Sequence, residues 1–226
     1  MSYWKELSSD SIESVVEKVV ASSKDESFDA FQFWCEWLDQ AAKNNVQQDN
    51  LLKLAKSLKT RHVRDVNGKN LWADTPGLPM ALRERFEVHV DLDKPREYSN
   101  INTFYARCAA EGVAETSMFG VILFRELLEE EGAHEDTELC VKGLQLWLNS
   151  AGAHLYNHGE PHLESNPLCR AGKKWTKSGG ISKDRWMFWI AQLRDLGHEH
   201  AGASVAIDYL IKSMEEVMSS KIRGSA

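Results

Sequence analysis

The sequence predicts an all-α protein, and three observations lead there. Apolar residues recur at helical spacing in nearly every segment. No stretch alternates apolar and polar residues between hairpin turns. Only 5 prolines and 14 glycines interrupt the 226 residues. The expected architecture is a single globular domain over residues 1–226, ordered from about 3 to 219, with a tail at 220–226. It should hold about nine helices, mostly antiparallel neighbours, and no sheet.

Each element has its own signature. Ser11 to Ala21 carries Ile12, Val15, Val16, Val19 and Val20 as one stripe, with Ser9 or Asp10 as cap. Ser27 to Lys43 places Phe28, Phe31, Trp34, Cys35 and Leu38 on one face, which Phe33 and Trp37 widen. Gln48 to His62 repeats Leu51, Leu54, Ala55 and Leu58. Asn67-Gly68 and Thr75-Pro76-Gly77 are turn chemistry, with Trp72 between them. Pro79 to Val90 and Ser99 to Ala110 follow, the latter closed by Gly112. Met118 to Glu131, capped by Ser117, is apolar on nearly all sides for two turns and reads as a central helix. Thr137 to Tyr156 is long. Asn157 to Gly180 reads as loop. Ser182 to Leu196 and Ala201 to Ser219 complete the set.

Composition excludes several function classes. Hydrophobic residues make up 42% and charged residues 27%, as in a folded soluble protein. A net charge of −7 disfavours nucleic acid and anionic membrane as partners, since both need a basic surface. The longest apolar run, Met118 to Phe124, is too short to span a bilayer. Cys35, Cys108, Cys140 and Cys169 form no C-x-x-C pair, and no signal-peptide pattern precedes them. A cytosolic or nuclear location is expected. No cofactor is expected, and oligomeric state is not legible.

The candidate chemistry is sparse. There is no G-x-S-x-G elbow and no phosphate loop, because "KKWTKSGG" lacks both the glycine–lysine spacing and a preceding strand. Gly180 is expected to make a turn and Ser182 to cap the next helix, with Asp184 complementing its dipole. Cys169 reads as a bystander thiol, since nothing supplies a general base at defined spacing. No metal site is expected. Two arrangements could grip a metal: His154, His158 and His162, which lack a flanking carboxylate motif, and His198 with His200, which read rather as cations at a helix C-terminus. Asn102 and Arg107 interrupt an apolar helix, so they either fasten helices or line a pocket.

The stretches "LWADTPGLPMALRERFE", "YSNINTFYARCAAEGV" and "WTKSGGISKDRWMFWIAQL" resemble a fungal family of all-helical proteins defined only as a domain of unknown function. Its pattern is an N-x-N-x-F-x-A-R helix followed by a late W-x-x-x-G-G-x-S-x-x-R-W-x-F-W block. Here these fall on Asn100, Asn102, Phe104, Ala106 and Arg107, then Trp175, Gly179, Gly180, Ser182, Arg185, Trp186, Phe188 and Trp189. Tyr98 stands where the family usually has Trp. The resemblance implies an all-α fold, a filamentous-fungal source and, for some relatives, proximity to secondary-metabolite genes. It supplies no catalytic residues.

Two functions remain open. One is a binding protein for a small hydrophobic molecule or a protein partner. The other is a cofactor-independent enzyme of fungal secondary metabolism, acting on a hydrophobic metabolite between helices. Asn102, Arg107, Trp175, Arg185, Trp186 and Trp189 are the candidate pocket residues, offering an orienting amide, anion clamps and aromatic walls.

Overall fold

A computed structural model describes residues 3–7, 11–64, 68, 70–87, 94–131, 137–157 and 161–223. Among them the regular structure is helical: eleven α-helices, nine of seven residues or more, with no strand and no sheet. The all-α expectation therefore holds. The helices are α1 (Tyr3–Glu6), α2 (Ile12–Ser22), α3 (Ala30–Lys43), α4 (Gln48–Lys59), α5 (Leu78–Glu87), α6 (Pro95–Ala110), α7 (Ser117–Leu128), α8 (Thr137–Asn157), α9 (Pro161–Ser165), α10 (Lys183–Glu199) and α11 (Ser204–Arg223).

Several boundaries differ from expectation for local reasons. Ser11, not Ser9 or Asp10, caps α2, its hydroxyl accepting from the Ser14 amide. Asp29 caps α3 in the same way through Gln32, so the helix starts after Phe28. Pro95 opens α6 early, where its missing N–H costs nothing. The end of α6 closes by paired bonds from Gly112 N–H to the Ala109 carbonyl and Val113 N–H to the Cys108 carbonyl. The expected loop from Asn157 to Gly180 contains α9 and a short 3-10 turn at Pro167–Cys169. At the end, α11 extends beyond Ser219.

The chain divides into two compact units, Met1–Phe104 and Tyr105–Ala226, with the division falling inside α6. In the first unit α3 packs on α5 and α4, and α2 packs on α4. Its core is an aromatic cluster. Trp34 touches Phe33, Trp37 and Trp72 edge-on at 5.2, 5.3 and 5.9 Å, and Phe104 meets Trp37 at 4.7 Å. Amides fasten the frame. The Gln48 side chain donates to the carbonyls of Ala41 and Asn100, and Asn100 donates back to the Ala42 carbonyl. In the second unit α11 packs on α8 and α10, and α7 packs on α8 and α10. No described helix is long and apolar enough to cross a membrane.

Candidate functional site

The second unit holds a dense buried polar cluster. Its first member is Glu129, the residue that follows the last turn of α7, where it is fully buried. A buried carboxylate is costly unless it is paired and hydrogen-bonded. Its partner is Arg185, in the first turn of α10 and equally inaccessible. Arg185 Nε donates to Glu129 Oε1 at 2.7 Å, and one terminal nitrogen donates to Oε2 at 3.0 Å. The remaining guanidinium hydrogens go to backbone carbonyls: Cys169 at 3.0 Å, Gly180 at 2.6 Å and Arg170 at 3.0 Å. Five N–H donors thus meet five acceptors.

The carboxylate is equally saturated. Besides Arg185, Oε1 accepts from the Trp189 indole at 2.6 Å, and Oε2 accepts from the Gly172 amide at 2.7 Å. The Glu129 carbonyl also accepts from the Lys174 amide at 2.8 Å. The segment from Cys169 to Gly180 is closed at its ends by the Gly180 amide on the Cys169 carbonyl. It is pinned to α7 through Glu129 and to α10 through Arg185.

The two glycines that suggested a phosphate loop have another cause. Gly180 has φ +72°, and a Cβ there would lie 2.8 Å from the Glu164 nitrogen. At Gly179, a Cβ would lie 2.7 Å from the Cys169 carbonyl oxygen. Glycine is therefore dictated by close backbone approach over the ion pair. Ser182 caps α10 through the Arg185 amide at 3.1 Å, as its position predicted. Lys177 donates to Asp184 and holds that exposed carboxyl below the usual carboxylate range.

The aromatic residues complete the enclosure. Trp189 stacks on Phe124 at 4.5 Å with 11° between the planes, and the Arg185 guanidinium lies 5.2 Å from its ring. Trp186 is buried against Phe124 and Tyr156, its indole donating to the Met214 carbonyl. Trp175 is buried, packs on Phe188 at 5.2 Å and donates to the Ser178 carbonyl. Burial pushes the Cys169 thiol up to about 11, although Arg185 and Arg125 pull it the other way. A protonated thiol at neutral pH is a poor nucleophile.

Of the six candidate pocket residues, Trp175, Arg185, Trp186 and Trp189 thus come together. Arg107 is partly exposed and pairs with Glu111 one turn on, at 3.1 Å. Asn102 lies in the first unit, where its buried side chain donates to the Tyr98 carbonyl of its own helix. His154 sits on α8. His158 lies outside the described residues, as does the side chain of His162. Among the described residues no group of three or more His, Cys, Asp or Glu is placed to hold a metal.

Glu129 escaped the sequence reading. It is one of three consecutive glutamates, 129–131, and local pattern does not separate them. The usable signal was indirect, since a buried arginine demands a carboxylate.

None of the six candidates lines either of two concave surfaces found elsewhere. One is a cleft of about 510 Å³ in the first unit, between the turn at 23–31, Arg64, Leu71 and the turn at Pro76-Gly77. The other is a groove of about 480 Å³ along α8, from Leu148 to Asn157, with Ala110 and Val217 at its edges.

Fold and site together define an all-helical protein organised, in its second unit, around a sealed arginine–glutamate pair. Comparison with protein families gives a match over residues 34–193 to the family described as "Protein of unknown function (DUF3632)". The chain belongs to this family. No curated protein and no solved structure gives a match.

Proposed function

We propose that this is a non-catalytic binding protein for a small apolar molecule or a protein partner. In this reading Trp175, Arg185, Trp186 and Trp189 form scaffold rather than an active site. One observation carries it: every donor of Arg185 and the lone pairs of Glu129 are spent on protein groups, at zero exposure of both side chains. A catalytic carboxylate or guanidinium needs capacity left for its substrate. Asn102 is likewise turned to its own helix, and Arg107 to Glu111.

The test is native mass spectrometry of protein purified from its source, followed by incubation with whatever it retains. The expected result is a molecule or partner recovered chemically unchanged. Turnover that vanishes in Arg185→Lys, with the near-ultraviolet spectrum intact, overturns the reading.

A further inference from the structure

We infer that the cleft of the first unit is a ligand site, and that it takes a small amine with an apolar body. The inference rests on the binding reading above and names a place and a chemistry for it. The cleft volume, about 510 Å³, lies in the range of small-molecule sites. Its apolar lining is Phe28, Phe31, Leu71 and Pro76. Leu71 is buried, but Phe28 and Phe31 are only half-buried, beside a core that fully encloses Trp34, Trp37 and Trp72. Phe28 packs against Phe33 and Trp72 at 6.0 and 5.8 Å, so only part of its ring, like part of Phe31, is left to whatever enters.

The wall is shaped by constraint. Thr75 has φ +44°, the one non-glycine residue with positive φ among the described residues. Such strain persists only where the surroundings enforce it. Here Pro76 and Gly77 follow at once. A Cβ on Gly77 would lie 2.8 Å from the Phe31 Cα, so this turn is pressed directly onto the first turn of α3. The cleft is thus held open by packed backbone on one side. On the other, the Asp25 carboxylate accepts from both the amide and the hydroxyl of Ser27, fixing the 25–28 turn.

Charge decides the ligand class. Asp25, Glu26 and Asp29 line the cleft against Lys24 and Arg64. Arg64 already donates to the Gly68 carbonyl at 3.0 Å, which commits part of its fork. Asp29 spends one oxygen on the Gln32 amide and Asp25 one on Ser27, leaving each a second oxygen, and Glu26 is exposed. Among the described lining residues three carboxylates face two cations, beside two partly exposed aromatic rings. That combination favours an ammonium group over a carboxylate.

Two probes with the same phenylethyl body and opposite charge test this. 2-Phenylethylammonium and 3-phenylpropanoate are titrated separately into the full chain, and backbone amide shifts are followed by NMR. The ammonium probe is expected to move the signals of Ser27 to Phe31 and Gly77, with the carboxylate probe weaker by at least several-fold. The double variant Asp25→Asn, Glu26→Gln keeps the turn's acceptors and should weaken the ammonium probe while leaving distant signals unchanged. Equal or stronger response to the carboxylate, response to neither, or shifts confined to another surface overturns the proposal. A molecule retained in the native purification that does not compete with the probe sinks this site alone, and leaves the binding reading standing.

Discussion

In the unit ending at Phe104, Trp34 and Trp72 are buried among other aromatic rings. In the unit beginning at Tyr105, Trp189 is buried against both a ring and an ion pair. Trp34 and Trp72 are fully enclosed, yet their indole nitrogens find no acceptor. Their edge-on neighbours supply packing and ring electrostatics instead. Trp189 is enclosed to the same degree, but its indole hydrogen goes to the Glu129 carboxylate. The first arrangement is tolerant, because dispersion is spread over many weak contacts. The second is specific, because a charge-assisted network is satisfied in one geometry and costly in any other.

The comparison breaks most visibly at Glu129. Removing it in Glu129→Ala leaves Arg185 buried without its counter-charge, at an expected cost of about 3–5 kcal/mol. Urea denaturation of the variant measures this. A loss below about 1 kcal/mol would mean that water or another acid reaches Arg185, and that the pair does not fasten α7 to α10.

A matched pair of substitutions sharpens the contrast. Trp189→Phe removes a hydrogen bond to a carboxylate and should cost about 1.5–3 kcal/mol. Trp34→Phe removes an N–H that has no acceptor, and should cost under about 1.5 kcal/mol from volume alone. Midpoints from the same denaturation experiment decide it. Equal losses would show that the indole hydrogen bond adds nothing beyond packing.

The last expected effect is in pH dependence and is felt only in alkaline solution. The folded protein raises the Cys169 thiol from 9.0 to about 11. Folding therefore favours the protonated form. That contribution is complete below the unfolded value of 9.0 and is lost as pH rises through about 11. Wild type should lose more stability than Cys169→Ala between those values, and parallel curves would remove Cys169 from the account.

Much of the candidate site was legible in sequence, but not its purpose. Arg185, Trp186 and Trp189 share a helix turn, so their proximity follows from spacing alone. Ser182 as cap and Gly180 as turn also follow from residue type. That Arg185 points inward to Glu129, 56 residues away, does not. Glu130 and Glu131 carry the same chemistry, and only the path of the chain chooses among the three. Asn100 likewise carried no local mark of its bond to the Ala42 carbonyl, since polar residues in an apolar helix look alike until the neighbour arrives.

The sequence by itself determined the helical class, most helix cores and several caps. These rest on periodicity and on contacts within a few residues. It also determined that no basic surface dominates an acidic chain of net charge −7. Only the tertiary structure decided that the late aromatic block encloses an ion pair whose donors and acceptors meet protein groups. It alone left Phe28 and Phe31 half-open in a cleft walled by a strained turn. The physical reason is the same in both cases. Local pattern fixes which face of a helix is apolar, whereas the satisfaction of a charge and the shape of a cavity depend on groups far apart in the chain.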